Sequence, residues 1–138
     1  MKAKLLTTLA LATLVLSAPA FAAGDAAKGE KTFRRCKACH TIANGDEVIV
    51  KGGKVGPNLF GVIGRKAGSL EGFRYKKDIV AAGEKGLVWT EETLAEYVKN
   101  PKKFLTDYLG RKAKSGMSFK LRKGGEDVAA YLASLSGS

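Results

Sequence analysis

Cys36-Lys37-Ala38-Cys39-His40 gathers both cysteines and the sole histidine of the chain into one short run. Two thiols separated by two residues, with an imidazole directly after them, form the pattern for covalent attachment of a c-type haem. The thiols add to the two vinyl groups of one porphyrin, and the imidazole lies under the iron as a ligand. Three other readings compete. A redox C-x-x-C pair should follow a strand in a βαβ setting, whereas a helical pattern precedes this one. A disulfide across two residues closes too small a loop to constrain the unfolded chain much. A zinc site would have only three conventional soft ligands. One His and two Cys also exclude zinc sites with several such ligands, iron–sulfur clusters held by Cys alone and multi-disulfide scaffolds.

A second axial ligand follows by elimination. There is no second His, and of the two methionines Met1 starts the chain, so Met117 is the candidate. A lone Met is more often a gap-filler in a core. Met117, however, sits in Lys114-Ser115-Gly116-Met117-Ser118-Phe119, a polar, glycine-containing loop rather than an apolar helical stripe. His/Met ligation raises the reduction potential of a haem and closes both axial positions. Such an iron is suited to passing electrons, whereas a haem enzyme or a small-ligand sensor would need an open position.

The elements that must position these groups begin with an address. Lys2 and Lys4 precede an apolar stretch at 5–16, which runs into Ser17-Ala18-Pro19-Ala20-Phe21-Ala22 with its A-x-A pattern. This predicts a secretory signal peptide over 1–22, cut after Ala22 or Ala20, and a single domain over 23–138. A membrane anchor would need about 20 apolar residues. The chain carries 24 Lys+Arg against 13 Asp+Glu, a formal charge of +11, and the leader holds only two of those cations. The basicity therefore belongs to the folded domain and suits an acidic partner. Nucleic acid is disfavoured by export and by the lack of an evident aromatic stacking platform or nucleic-acid motif.

Asp25 is placed to cap a helix with Ala26, Gly29 and Phe33 inward, ending near Arg35. Glycines interrupt every period across 41–72, which reads as mainly loop, and 75–82 reads as a short helix. Thr90, followed by Glu91 and Glu92, opens a helix with Leu94, Tyr97 and Val98 on one face, and Pro101 marks its end. Residues 102–116 form a basic stretch, partly helical. A last helix opens at Gly124-Gly125-Glu126-Asp127 and runs to about Leu135, with Val128, Tyr131, Leu132 and Leu135 as its apolar stripe. Four short helices joined by glycine-rich chain bury little apolar surface for the entropy they lose, so a cofactor is expected to fill the centre.

Taken together, these residues closely resemble class I cytochrome c, in particular the cytochrome c2 branch of purple bacteria. The resemblance spans the chain after the leader: Gly24-Asp25 with Gly29 and Phe33, Cys36 to His40, Gly56-Pro57-Asn58-Leu59, Gly64-Arg65, Phe73 with Tyr75, Trp89, Tyr97 with Asn100-Pro101-Lys102-Lys103, Ser115-Gly116-Met117, and Tyr131 in the closing helix. It implies an all-α, class I cytochrome c fold, short helices and long loops wrapped around one covalently bound haem. It further implies that the carbonyl of Pro57 takes the Nδ1 hydrogen of His40. Arg65, Tyr75 and Trp89 would donate toward a haem propionate, with Ser115 assisting. Core packing is the alternative for Trp89 and the commoner role of a Tyr at the helical spacing of Tyr97; the resemblance brings Tyr97 to the Met117 sulfur. Gly29 would let the first and last helices cross closely.

The resemblance also implies a function. The chain would be a soluble, monomeric periplasmic carrier of single electrons and not an enzyme. It would carry one haem c with His40 and Met117 as axial ligands, and have no stable membrane insertion. Electrons would pass from a cytochrome bc1 complex to a photosynthetic reaction centre or a terminal oxidase. Arg35, Lys54, Lys102, Lys103, Lys120 and Lys123 would ring the haem edge and face acidic docking surfaces. Relative to shorter, mitochondrial-type members, the chain is longer at 44–54 and between Leu105 and Ser115.

Overall fold

The computed structural model describes residues 23–136; the leader expected at 1–22 lies outside them. Five helices and one small hairpin appear among the described residues: α1 Ala26–Phe33, β1 Ile42–Asn44, β2 Glu47–Val50, α2 Lys77–Glu84, α3 Glu91–Lys99, α4 Pro101–Leu109 and α5 Gly125–Ser136.

The first and last helices cross, and their sequences explain how. The Asp25 carboxylate accepts the Lys28 N–H at 3.1 Å and caps α1, while the Asp25 backbone N–H donates to Asp127 on α5 at 2.8 Å. At Gly29 an added Cβ would stand 1.9 Å from the Asp127 carbonyl oxygen, so only glycine permits this approach. Phe33 and Tyr131 then meet with ring centroids 5.8 Å apart. Both are buried, together with Val128, Ala129 and Leu132 of α5. The burial outweighs the cost of about 1 kcal/mol for glycine inside a helix.

Helix α3 is closed by a reciprocal cap in which Thr93 takes the place usually held by Glu or Gln: Thr90 Oγ1 accepts the Thr93 N–H at 3.1 Å, and Thr93 Oγ1 accepts the Thr90 N–H at 2.8 Å. It buries Leu94, Ala95 and Tyr97. Asn100 both ends α3 and caps α4, its side chain accepting the Lys103 N–H at 3.2 Å. Pro101 therefore marks two boundaries. It ends α3, as the sequence predicts, and it also supplies the first residue of α4, where a missing N–H costs nothing. The partly helical stretch of 102–116 resolves into this helix, stopped by Gly110 in the left-handed region, and a following strap of loop.

The segment 41–72 is mainly loop, as expected, but it also holds a short hairpin. β1 and β2 pair antiparallel with Ala43 opposite Val48 and Asn44 opposite Glu47, and the register shifts between Ile42 and Ala43. Asn44-Gly45-Asp46 between β-branched residues is a hairpin signal, and Gly45 supplies the positive φ of 58° that the tight turn takes. The remainder of the segment is irregular but not loose. Asn58 Nδ2 donates to the Ala43 carbonyl at 2.8 Å, and the Thr41 hydroxyl donates to that of Gly52 at 2.9 Å.

Candidate haem site

The C-x-x-C-H run follows α1 as a continuing turn. The Cys36 N–H donates to Phe33 O at 2.7 Å, and the His40 N–H donates to Cys36 O at 3.0 Å. Neither cysteine is in a disulfide; Cys36 is half-buried and Cys39 exposed. Burial pushes the Cys36 thiol up to about 11, with Arg35 offsetting only part of the shift. The pair follows helix α1 and not a strand of a βαβ unit, so it is unlike a redox C-x-x-C in setting.

His40 is buried. Its Nδ1 lies 2.8 Å from the Pro57 carbonyl oxygen, where it donates as the Nδ1–H tautomer and leaves the Nε2 lone pair free. Burial holds the imidazole below its usual pKa, against the opposing pull of the Pro57 carbonyl, which keeps the ring neutral and able to ligate. Gly56 lies against the ring, its imagined Cβ 2.3 Å from Cε1 and 2.6 Å from Nδ1. The ring is thus fixed by a hydrogen bond at one edge and by bare backbone alongside.

Met117 is half-buried and packs against the hydrophobic core. Its loop is closed by Ser115, whose hydroxyl accepts the Met117 N–H at 3.1 Å and donates to the Met117 carbonyl at 2.8 Å. Ser115 therefore spends its hydroxyl on the backbone of Met117. Tyr97 is buried beside Ser115. Burial raises its phenol above the usual range, with the Ser115 hydroxyl opposing, so the hydroxyl keeps its proton.

Arg65 and Trp89 are brought side by side by backbone pairing: the Trp89 N–H donates to Arg65 O at 2.9 Å and the Gly64 N–H to Trp89 O at 2.6 Å. The Arg65 guanidinium donates to the carbonyls of Asn58 (3.1 Å) and Phe60. Burial lowers its pKa, with the neighbouring Tyr75 opposing, and it remains charged. Tyr75 Oη accepts the Leu70 N–H at 3.3 Å and its ring packs edge-on against Phe73. Trp89 is buried, with its ring 4.8 Å from that of Tyr97.

The six predicted docking cations are all exposed, but they are not equivalent. Lys102, Lys103 and Lys120 line a groove of about 390 Å³ together with Met117 and Pro101. Lys103 is already paired with Asp107 one helical turn on. Arg35 lies 5.4 Å over the ring of Phe119, linking the residue before Cys36 to the one after Ser118. Lys54 and Lys123 lie outside that groove. Two contributors escaped the sequence reading. Phe119 was legible only as part of a polar loop, and Asp78, whose contacts are described below, carries no motif.

No protein-family model matches the chain. Individual proteins do. Cytochrome c2 of Rhodobacter capsulatus is 61% identical over 132 residues, covering 94% of this chain and 96% of that protein. The chain belongs to the cytochrome c2 family. Cytochrome c-551 of Roseobacter denitrificans is 58% identical over 130 residues, covering 93% of this chain and 93% of the relative. The solved structure of the Rhodobacter capsulatus cytochrome c2 superimposes with a TM-score of 0.79 at 62% identity, over 80% of this chain and 97% of that one. Membership makes this chain an electron-carrying cytochrome with the class I cytochrome c fold, not an enzyme, and makes haem c its prosthetic group. The residues fit that group: two unpaired thiols at the attachment spacing, and a buried neutral imidazole whose free nitrogen is Nε2.

Proposed function

We propose that the chain is a soluble periplasmic carrier of single electrons, taken from a quinol-oxidising cytochrome bc1 complex and delivered to a photosynthetic reaction centre or a terminal oxidase. Residues 1–22 form the cleaved signal peptide and 23–138 the carrier. Cys36 and Cys39 would hold one haem c by thioether bonds, and His40 and Met117 would ligate its iron. When bound, that group supplies a one-electron couple between ferrous and ferric iron.

The observation that carries this reading is the 2.8 Å contact from His40 Nδ1 to Pro57 O, which aims and frees Nε2. Ser115 fixes the backbone of Met117, which would hold its sulfur toward the iron of a bound haem. Arg65, Tyr75 and Trp89 serve the propionates, and Tyr97 tunes the environment of the Met117 sulfur. The exposed cations, with Arg35, Lys102 and Lys120 in front, steer the protein onto acidic faces. Among the described residues no helix is long and apolar enough to cross a membrane.

Co-expression with periplasmic haem-attachment machinery tests the ligand set. The oxidised protein should show the weak near-infrared charge-transfer band of methionine-ligated iron. Met117→Ala should lose that band and lower the potential while retaining covalent haem. Failure to recover covalent haem would overturn the reading. Electron transfer to an isolated reaction centre and to an oxidase then separates the two acceptors.

A further inference from the structure

Among the described residues only His40 and Asp78 are buried polar or charged side chains. The first belongs to the site. Asp78 hydrogen-bonds to none of the haem-holding residues and is 2% exposed. A carboxylate so placed is costly unless its oxygens are paired. Both are engaged, and both partners come from the same irregular strap. Oδ2 accepts the backbone N–H of Lys114 at 2.7 Å, and Oδ1 accepts Nη1 of Arg111 at 3.0 Å.

That strap, residues 111–116, runs from the end of α4 to Met117. The Thr106 hydroxyl on α4 accepts the Ala113 N–H at 3.2 Å, and Lys76, at the start of α2, lies beside Gly116. The strap is therefore held from α4 on one side and from the first turn of α2 on the other. Asp78 supplies the only buried charge among these anchors.

We propose that Asp78 is a positioning residue for the Met117 ligand, fixing the strap in the conformation from which the sulfur meets the iron. The inference rests on Met117 being the axial ligand. A tethered ligand competes well against ligands from solution when its loop has little freedom left to lose on binding. With the Asp78 anchor removed, the strap must be ordered anew each time the sulfur binds, and outside ligands gain. The hydrogen bonds of the Asp78 carboxylate go to Arg111 and Lys114 and not to His40 or Met117, so it acts through the strap.

The test uses ferric holoprotein and imidazole, read by loss of the near-infrared band, with the denaturant midpoint of each variant measured in parallel. Asp78→Ala should bind imidazole about tenfold more tightly than the unmodified protein, the scale of one lost hydrogen bond to a charged group. Asp78→Asn keeps an oxygen for the Lys114 N–H and should fall between, which also preserves the test if the alanine variant fails to load haem. Asp25→Ala removes the cap of α1, destabilising the fold far from the strap, and should leave imidazole affinity within about twofold. Affinities within about twofold of the unmodified protein for both Asp78 variants would overturn the proposal, as would an equal gain in Asp25→Ala. Absence of the band from the unmodified protein would instead unseat Met117 as a ligand, a distinguishable failure.

Discussion

Gly56 lies flush against the imidazole of His40, with no room for a side chain between them: a Cβ there would stand 2.3 Å from Cε1. The neighbouring Pro57 carbonyl holds Nδ1 at 2.8 Å, so the ring cannot swing aside without breaking that bond. Gly56→Ala should therefore cost about 3 kcal/mol, at the upper end for an overpacked site. Denaturant unfolding of the holoprotein measures the loss, and the ferric spectrum should show altered histidine ligation.

The groove cations should differ in what they contribute to docking. Lys120 has no ion-pair partner among the described residues, whereas Lys103 is paired with Asp107. At low ionic strength, Lys120→Ala should slow association with an acidic partner several-fold, and Lys103→Ala, which removes an ammonium held back by Asp107, should slow it less. Stopped-flow rates across a salt series measure both. The difference should shrink as the Debye length falls to about 8 Å at physiological ionic strength.

Asp78 also sets an acid limit. The Lys114 backbone N–H, the Arg111 guanidinium and, more weakly, Lys77 hold its carboxyl below the usual carboxylate range. A pKa lower in the folded than in the unfolded state adds stability that is complete above about pH 4, where the unfolded carboxylate is ionised. That contribution disappears as pH falls through the native value. Denaturant midpoints between neutral pH and pH 2 should therefore drop more steeply for the unmodified holoprotein than for Asp78→Asn. The variant should already be less stable at neutral pH.

Much of this architecture is visible in local chemistry. The cap at Asp25, the start at Thr90 and the stripe of Val128, Tyr131 and Leu132 all lie where the pattern puts them, because each depends on neighbours within a turn or two. The hairpin was hidden by its brevity: two strands of three and four residues give period-2 alternation no length in which to show. Helix α4 is legible only as a partly helical stretch, because Pro101, which ends α3, is equally at home in the first turn of the next helix.

Cys36, Cys39 and His40 lie within one short run of the chain, so their spacing alone identifies the group they can hold, and the export proposed above rests on a similarly local pattern at 1–22. The contacts that orient the site join residues distant in sequence and bear no periodic mark. His40 meets Pro57 17 residues away, and Asp78 meets Lys114 36 residues away. The resemblance names the Pro57 carbonyl as the acceptor of the imidazole proton, and the structure has His40 Nδ1 against it; which glycine lies bare against the ring and which carboxylate grips the strap depend on how the loops pack. Only the tertiary structure decides them, since a hydrogen bond acts over about 3 Å whatever the length of chain between its partners.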